Sequence, residues 1–164
     1  MTTRRTRIAV TIAAAGLLVV AGCTNAKEDP VQQLTHQQAI DLAEKLVKDN
    51  VAALKPQPQL EISGRVEAPC SGSNDDQETG QVMVERSYWL RGLDIGSNDQ
   101  VFQTLTGYWD ANGYKVTLDD GDSTSKGRKR VARHPENDFK VSLTQGTTGE
   151  LSIKAQSSCV PEAK

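Results

Sequence analysis

Two stretches decide the fold: LEISGRVEAPC at residues 60–70 and QVMVERSYWLRGL at residues 81–93. In the first, Leu60, Ile62, Val66, Ala68 and Cys70 share one parity. In the second, Val82, Val84, Tyr88 and Leu90 share one, while Met83 and Trp89 fall on the other with Glu85 and Arg91. Successive side chains of a strand point to opposite faces, so this period of two predicts strands with one apolar face. The polar segment at residues 71–79 joins them into a long antiparallel hairpin. Trp89 either covers the second face of the sheet or marks a binding surface, and local packing is the commoner use of a lone tryptophan.

On both sides of the hairpin the period becomes helical. Thr35 and Gln38 form a capping box ahead of Ile40, Ala43, Leu46 or Val47, Val51 and Leu54. This helix is expected to end before Pro56, because the residue preceding a proline is pushed out of helical torsions. Asp41-Lys45 and Glu44-Lys48 are spaced to pair along its exposed face, which reads as solvated. After the hairpin, Ser97 is placed to cap a second helix carrying Val101, Phe102, Leu105, Tyr108 and Trp109 on one side, with Asn112-Gly113 at its end. Tyr114, Val116 and Leu118 then open a strand. Turns at Asp119-Asp120-Gly121-Asp122, His134-Pro135-Glu136-Asn137 and residues 146–149 separate further strands near residues 129–132, 139–143 and 151–159. The order α-β-β-α-β-β-β-β predicts an α+β two-layer sandwich, a mainly antiparallel sheet with two helices packed on one face.

Upstream of the domain, residues 1–7 hold three arginines and no acid, and residues 8–20 form an apolar run of 13. That run is shorter than the roughly 20 residues a membrane-spanning helix needs, and it follows a charged n-region, as in an export signal. It ends in Val20-Ala21-Gly22-Cys23, which resembles the bacterial lipobox. The resemblance implies cleavage before Cys23 and diacylglycerol on its thiol. Residues 1–22 would then be a signal peptide, residues 23–34 a lipidated N-terminus and tether, and residues 35–164 a single domain on the extracytoplasmic face of the cell membrane. More than one acyl chain is expected, since one alone holds a protein only reversibly.

Removing the signal takes three of the 19 basic residues and none of the 21 acids, leaving 16 against 21 and a net charge of −5. Such a chain has no global attraction to nucleic acid. With Cys23 acylated, Cys70 and Cys159 remain as an even pair outside the cytoplasm, and a disulfide is expected. Leu151, Ile153, Ala155 and Cys159 share one parity, so both thiols are expected to point with the apolar faces of their strands. A reactive or metal-binding pair would call for a Cys-x-x-Cys spacing or a nearby histidine, and neither is present.

The lipobox, the polar tether, the opening helix, the segment at residues 105–114 (LTGYWDANGY) and the closing Ser157-Ser158-Cys159-Val160-Pro161 resemble small actinobacterial cell-envelope lipoproteins. The resemblance implies location and fold class and carries over no catalytic residue.

Of the two histidines, His36 lies near a helix start and His134 precedes a proline in a turn; neither belongs to a recognisable nucleophile or carboxylate constellation, so no enzyme and no cofactor is expected. Asp119, Asp120, Asp122 and Ser123 lack the spacing of a calcium loop, and no metal is expected. Two candidate surfaces remain. Lys126, Arg128, Lys129, Arg130 and Arg133 form a basic edge suited to phosphate-bearing envelope polymers or anionic lipid headgroups, or else a solvated hairpin whose charges protect a sheet edge. Trp89, Phe102, Tyr108 and Trp109 are candidates to line an apolar pocket between helix and sheet, or to be simply core. The expected function is a membrane-anchored, non-catalytic binding or interaction module whose partner is an envelope protein or anionic polymer. The alternative is a carrier of lipid or another apolar small molecule.

Overall fold

The structure, a computed structural model, describes residues 33–71, 78–121 and 127–163. The signal, Val20, Ala21, Gly22, Cys23 and nearly all of the tether lie outside the described residues, as do Asp122, Ser123 and Lys126. Along the chain run α1 (His36–Ala52), β1 (Gln59–Ser71), β2 (Glu78–Arg91), a 3-10 turn (Ile95–Ser97), α2 (Asn98–Ala111), β3 (Lys115–Asp120), β4 (Arg128–Arg133), β5 (Lys140–Gln145) and β6 (Leu151–Pro161). The six strands form one antiparallel sheet in the order β1-β2-β6-β5-β4-β3. Both helices pack against it, giving the expected two-layer α+β sandwich.

In β2 the predicted alternation holds along the strand. Val82, Val84, Tyr88 and Leu90 are buried and face the helices. In β1 the shared parity does not mean a shared face. Leu60 and Ile62 stand opposite Leu90 and Tyr88, but a bulge between Ile62 and Gly64 shifts the register, and Val66 and Ala68 then stand opposite Glu85 and Met83. One extra residue turns every later side chain to the other face of the sheet. β1 is moreover an edge strand, so Ile62 and Val66 are 51% and 41% exposed. The bulge, Glu61, Arg65, Glu67 and Pro69 make that edge a poor template for a further strand. Val116 and Leu118 are also exposed, because β3 is the opposite edge and bulges between them.

Helix α1 begins with the predicted capping box: Gln38 N donates to Thr35 Oγ1 at 3.2 Å, and Thr35 N donates to Gln38 Oε1 at 2.9 Å. It stops at Ala52, earlier than Pro56 requires, and Leu54 turns into the core. The start of α2 differs from expectation. Ser97 makes no side-chain cap; its hydroxyl donates to Asp94 O at 2.6 Å, and Asp94 caps the 3-10 turn by accepting from Gly96 N at 2.9 Å. Gly113 takes the left-handed torsion (φ 73°) that closes α2, as Asn112-Gly113 predicted.

The core gathers Val47 and Val51 of α1, Phe102, Leu105 and Trp109 of α2, and Val84, Val141, Leu143 and Ile153 of the sheet. The helices meet at a buried polar joint. Trp109 Nε1 donates to Asn50 Oδ1, while Asn50 Nδ2 donates to Leu46 O at 2.8 Å, so every polar atom of the amide and indole has a partner. Cys70 and Cys159 are disulfide-bonded, as expected, with Cα atoms 6.2 Å apart. The bond joins the two strands that flank β2. The bulges place it differently from expectation: Cys159 stands opposite Met83, on the face away from the helices, and is exposed.

Candidate functional site on the open face of the sheet

With the helices on one face, the other face of the sheet is left open by the described residues, and its composition follows from register. Three cross-strand rows can be read across it. One runs Lys115, Arg133, Lys140, Gln156, Glu85 and Val66. The next runs Leu118, Val131, Ser142, Lys154, Ser87 and Gly64, and the third Asp120, Lys129, Thr144, Ser152, Trp89 and Glu61. Trp89 therefore belongs to the open face, where Arg91 stacks 5.2 Å from its ring centroid.

The predicted basic edge is divided by this geometry. β4 is not an edge strand, since β3 lies outside it. Arg128 and Arg130 point to the helix side. Arg128 lies 4.1 Å from the Phe102 ring centroid and pairs with Asp99 at 2.8 Å; Arg130 donates to Thr106 Oγ1 and to both carboxylate oxygens of Asp119. Two of the supposed anion ligands thus hold α2 and β3 to the sheet. Arg133 pairs with Asp138 at 3.3 Å, and Lys126 is outside the described residues. Among the described residues of the set, only Lys129 lines the open groove.

That groove, of about 290 Å³, is lined by Thr117, Leu118, Lys129, Val131, Lys140, Ser142, Lys154 and Gln156. Lys154 is held by Glu85 at 2.9 Å. Lys129 and Lys140 have no acidic partner within ion-pair distance among the described residues. At its floor Ser142 is 4% exposed, and its hydroxyl meets no hydrogen-bond partner among the described residues. A buried hydroxyl left unpaired costs about 1–3 kcal/mol, so a bound group or water that pairs with it gains by that contact. Lysines from three strands around an unsatisfied donor can hold a group rich in acceptor oxygens and negative charge. Sequence reasoning missed Lys140, Lys154 and Ser142 because they lie on different strands; their outward parity within β5 and β6 was the available signal.

The predicted aromatic pocket does not assemble. Phe102 and Trp109 are fully buried in the core, Tyr108 packs 6.2 Å from Tyr114, and Trp89 is on the opposite face of the sheet. No family model, curated protein or solved structure matches the chain. The site therefore rests on its own chemistry. Among the described residues no group of three or more His, Cys, Asp or Glu is arranged to hold a metal ion, and no helix is long and apolar enough to cross a membrane.

A second polar cluster, also unforeseen, lies under α1. Arg86 occupies the buried parity of β2, is 5% exposed, and sits 2.9 Å from Glu67 and 3.8 Å from Glu44. Tyr88 donates its hydroxyl to Glu44, and His36 Nε2 lies 3.0 Å from Glu67. Glu44, expected on a solvated face paired with Lys48, instead ties α1 to the sheet, and Lys45 pairs with Asp49 at 2.5 Å where Asp41 was expected. The Arg86 hydrogen bond holds the Glu67 carboxyl below its ordinary range, while burial, then Glu44, pushes the Tyr88 phenol up. Such pairing compensates a buried cation, and the cluster reads as a structural tie. The cation among valines at residue 86 was its sequence signal.

His134 gives a pH prediction. Its ring stands edge-on to Tyr114 at 4.9 Å, and its Nδ1 accepts from Glu136 N at 3.2 Å. Burial lowers its pKa from 6.5, so the folded state releases this proton more readily than the unfolded chain. The associated stability is fully present above pH 6.5 and is lost as pH falls through the lower folded value. Urea unfolding at stepped pH values below neutrality is expected to show this decline, and His134→Asn to remove that portion of it.

Proposed function

We propose that the chain is a membrane-anchored extracytoplasmic lipoprotein whose domain is a non-catalytic binding module, with the open face of the sheet as its binding surface. The supporting observation is the asymmetry of the sandwich. One face of the sheet is closed by two helices and a filled core, while the other carries a lysine-lined groove with an unsatisfied buried hydroxyl. The reading of location rests on residues 1–23: a basic n-region, an apolar run too short to span, and Val20-Ala21-Gly22 before Cys23. The partner is an envelope component, a protein or an anionic polymer, presented at the cell surface. The net charge of −5 after signal removal makes global attraction an unsuitable basis for binding, so recognition must be local, as a groove provides.

The anchor is tested by Cys23→Ser in the full chain. Metabolic labelling with a radioactive fatty acid and membrane fractionation are expected to show a labelled, membrane-bound native chain and an unlabelled variant that is left unprocessed. A serine variant labelled like the native chain would sink the assignment.

A further inference from the structure

We infer that the groove bounded by Lys129, Lys140 and Lys154 is a binding site for a phosphate ester, with the Ser142 hydroxyl as a donor at its floor. The inference rests on the open-face reading above and gives that face a ligand class.

Register carries the first step. Ser142 on β5 stands directly opposite Lys154 on β6. Lys140 is two residues away on the same strand and face, and Lys129 is the diagonal neighbour, two residues from Val131 on the same face of β4. Direct and diagonal neighbours across a sheet lie within reach of long side chains, so all three ammonium groups can converge above one hydroxyl. Each ammonium brings three rotatable donors and a compact charge, the form in which lysine binds phosphate.

The second step is the state of those donors. Lys129 and Lys140 are not neutralised by any described acid at ion-pair distance, and the Ser142 hydroxyl is buried without a partner among the described residues. A flat carboxylate offers two oxygens to one side. A phosphate group offers oxygens in three directions, matching cations that approach from β4, β5 and β6 over a donor below. Leu118 and Val131 supply an apolar flank along the same row, so an ester with a carbon substituent is a better fit than the bare ion.

Two acids on this face bear on the site. Glu85 holds Lys154, and Asp120 stands opposite Lys129 in β3. Glu85 therefore competes with the ligand for one of the three cations. Neutralising it should free Lys154, which gives a test in the direction of gain.

The acylated full-length chain, purified in neutral detergent, would be titrated calorimetrically with glycerol 3-phosphate in one arm. In the other it would meet phosphatidylglycerol in mixed micelles, against phosphatidylcholine. Saturable one-to-one binding is expected. The Lys129→Ala/Lys140→Ala pair should weaken it about 25-fold, at about fivefold per lysine. Ser142→Ala should weaken it about fivefold. Glu85→Gln should tighten it by about the same factor, an outcome that loss of folding cannot imitate. Lys48→Ala, on the exposed side of α1, should leave it unchanged. Binding in the first arm identifies a soluble phosphate ester as the source; binding confined to phosphatidylglycerol, and abolished by the lysine pair, identifies a headgroup. No saturable binding in either arm, or binding indifferent to the lysine and serine variants, overturns the site. A chain acylated at Cys23 that binds no phosphate removes the groove and leaves the anchored module; a chain that binds phosphate without acylation does the reverse.

Discussion

Reduction of the Cys70–Cys159 disulfide, or its replacement in a Cys70→Ser/Cys159→Ser chain, is expected to lower the unfolding free energy by about 4–5 kcal/mol. The bond closes a loop with a sequence separation of 89, and loop-closure entropy removed from the unfolded chain grows with the logarithm of that length. Its position adds to the consequence. β1 is an edge strand with no partner but β2, and the bond ties it to β6, across the strand both of them border. A domain of this size should lose on the order of 15 °C in Tm. Thermal unfolding with and without reductant checks this, and hydrogen exchange should show β1 losing protection first. A shift of only a few degrees would mean that β1 is held by its pairing and by side-chain ties such as Arg86–Glu67 and Arg91–Glu61.

Trp109→Ala is expected to cost about 3–5 kcal/mol, the range for deleting a fully buried aromatic side chain. Two effects add in this substitution. The core between α2 and the sheet loses its largest ring, and Asn50 Oδ1 loses its donor. They can be separated. Trp109→Phe keeps much of the packing and should cost about 1–3 kcal/mol, chiefly for the orphaned amide oxygen. Asn50→Leu orphans the indole N–H to similar effect. The double variant Asn50→Leu/Trp109→Phe removes both partners, so it should cost clearly less than the two single costs combined. Chemical denaturation of the four proteins measures that coupling. Strict additivity would show that the joint between the helices contributes nothing as a pair.

Much of the architecture was legible before any coordinates. The capping box at Thr35, the alternation of Val82, Val84, Tyr88 and Leu90, the left-handed Gly113 and the pairing of Cys70 with Cys159 all appear as read. Each depends on chemistry local to the chain, or on the parity of a cysteine pair once Cys23 is set aside as the expected anchor. The errors share a cause. Ile62 is exposed because β1 is an edge strand, Val66 because a bulge also turns it to the other face, β4 is internal because of strand order, and Arg128 and Arg130 face α2 because of register. Trp89 and Phe102 are both aromatic near strands, yet they lie on opposite faces. Periodicity reports which residues alternate; it does not report which strand is the neighbour.

The candidate site lies almost wholly in that second category. A run of cations between residues 126 and 133 was visible, but only Lys129 of it reaches the groove, joined there by Lys140 and Lys154 from strands beyond the run. The sequence by itself determined the helix and strand segments, the apolar face of β2, the cysteine pair and the expectation of a lipid anchor at Cys23, because these follow from local propensity, parity and short motifs. The tertiary structure decided which face is open, which cations are already paired and that Ser142 is buried without a partner, because neighbours across a sheet are set by strand order and bulges.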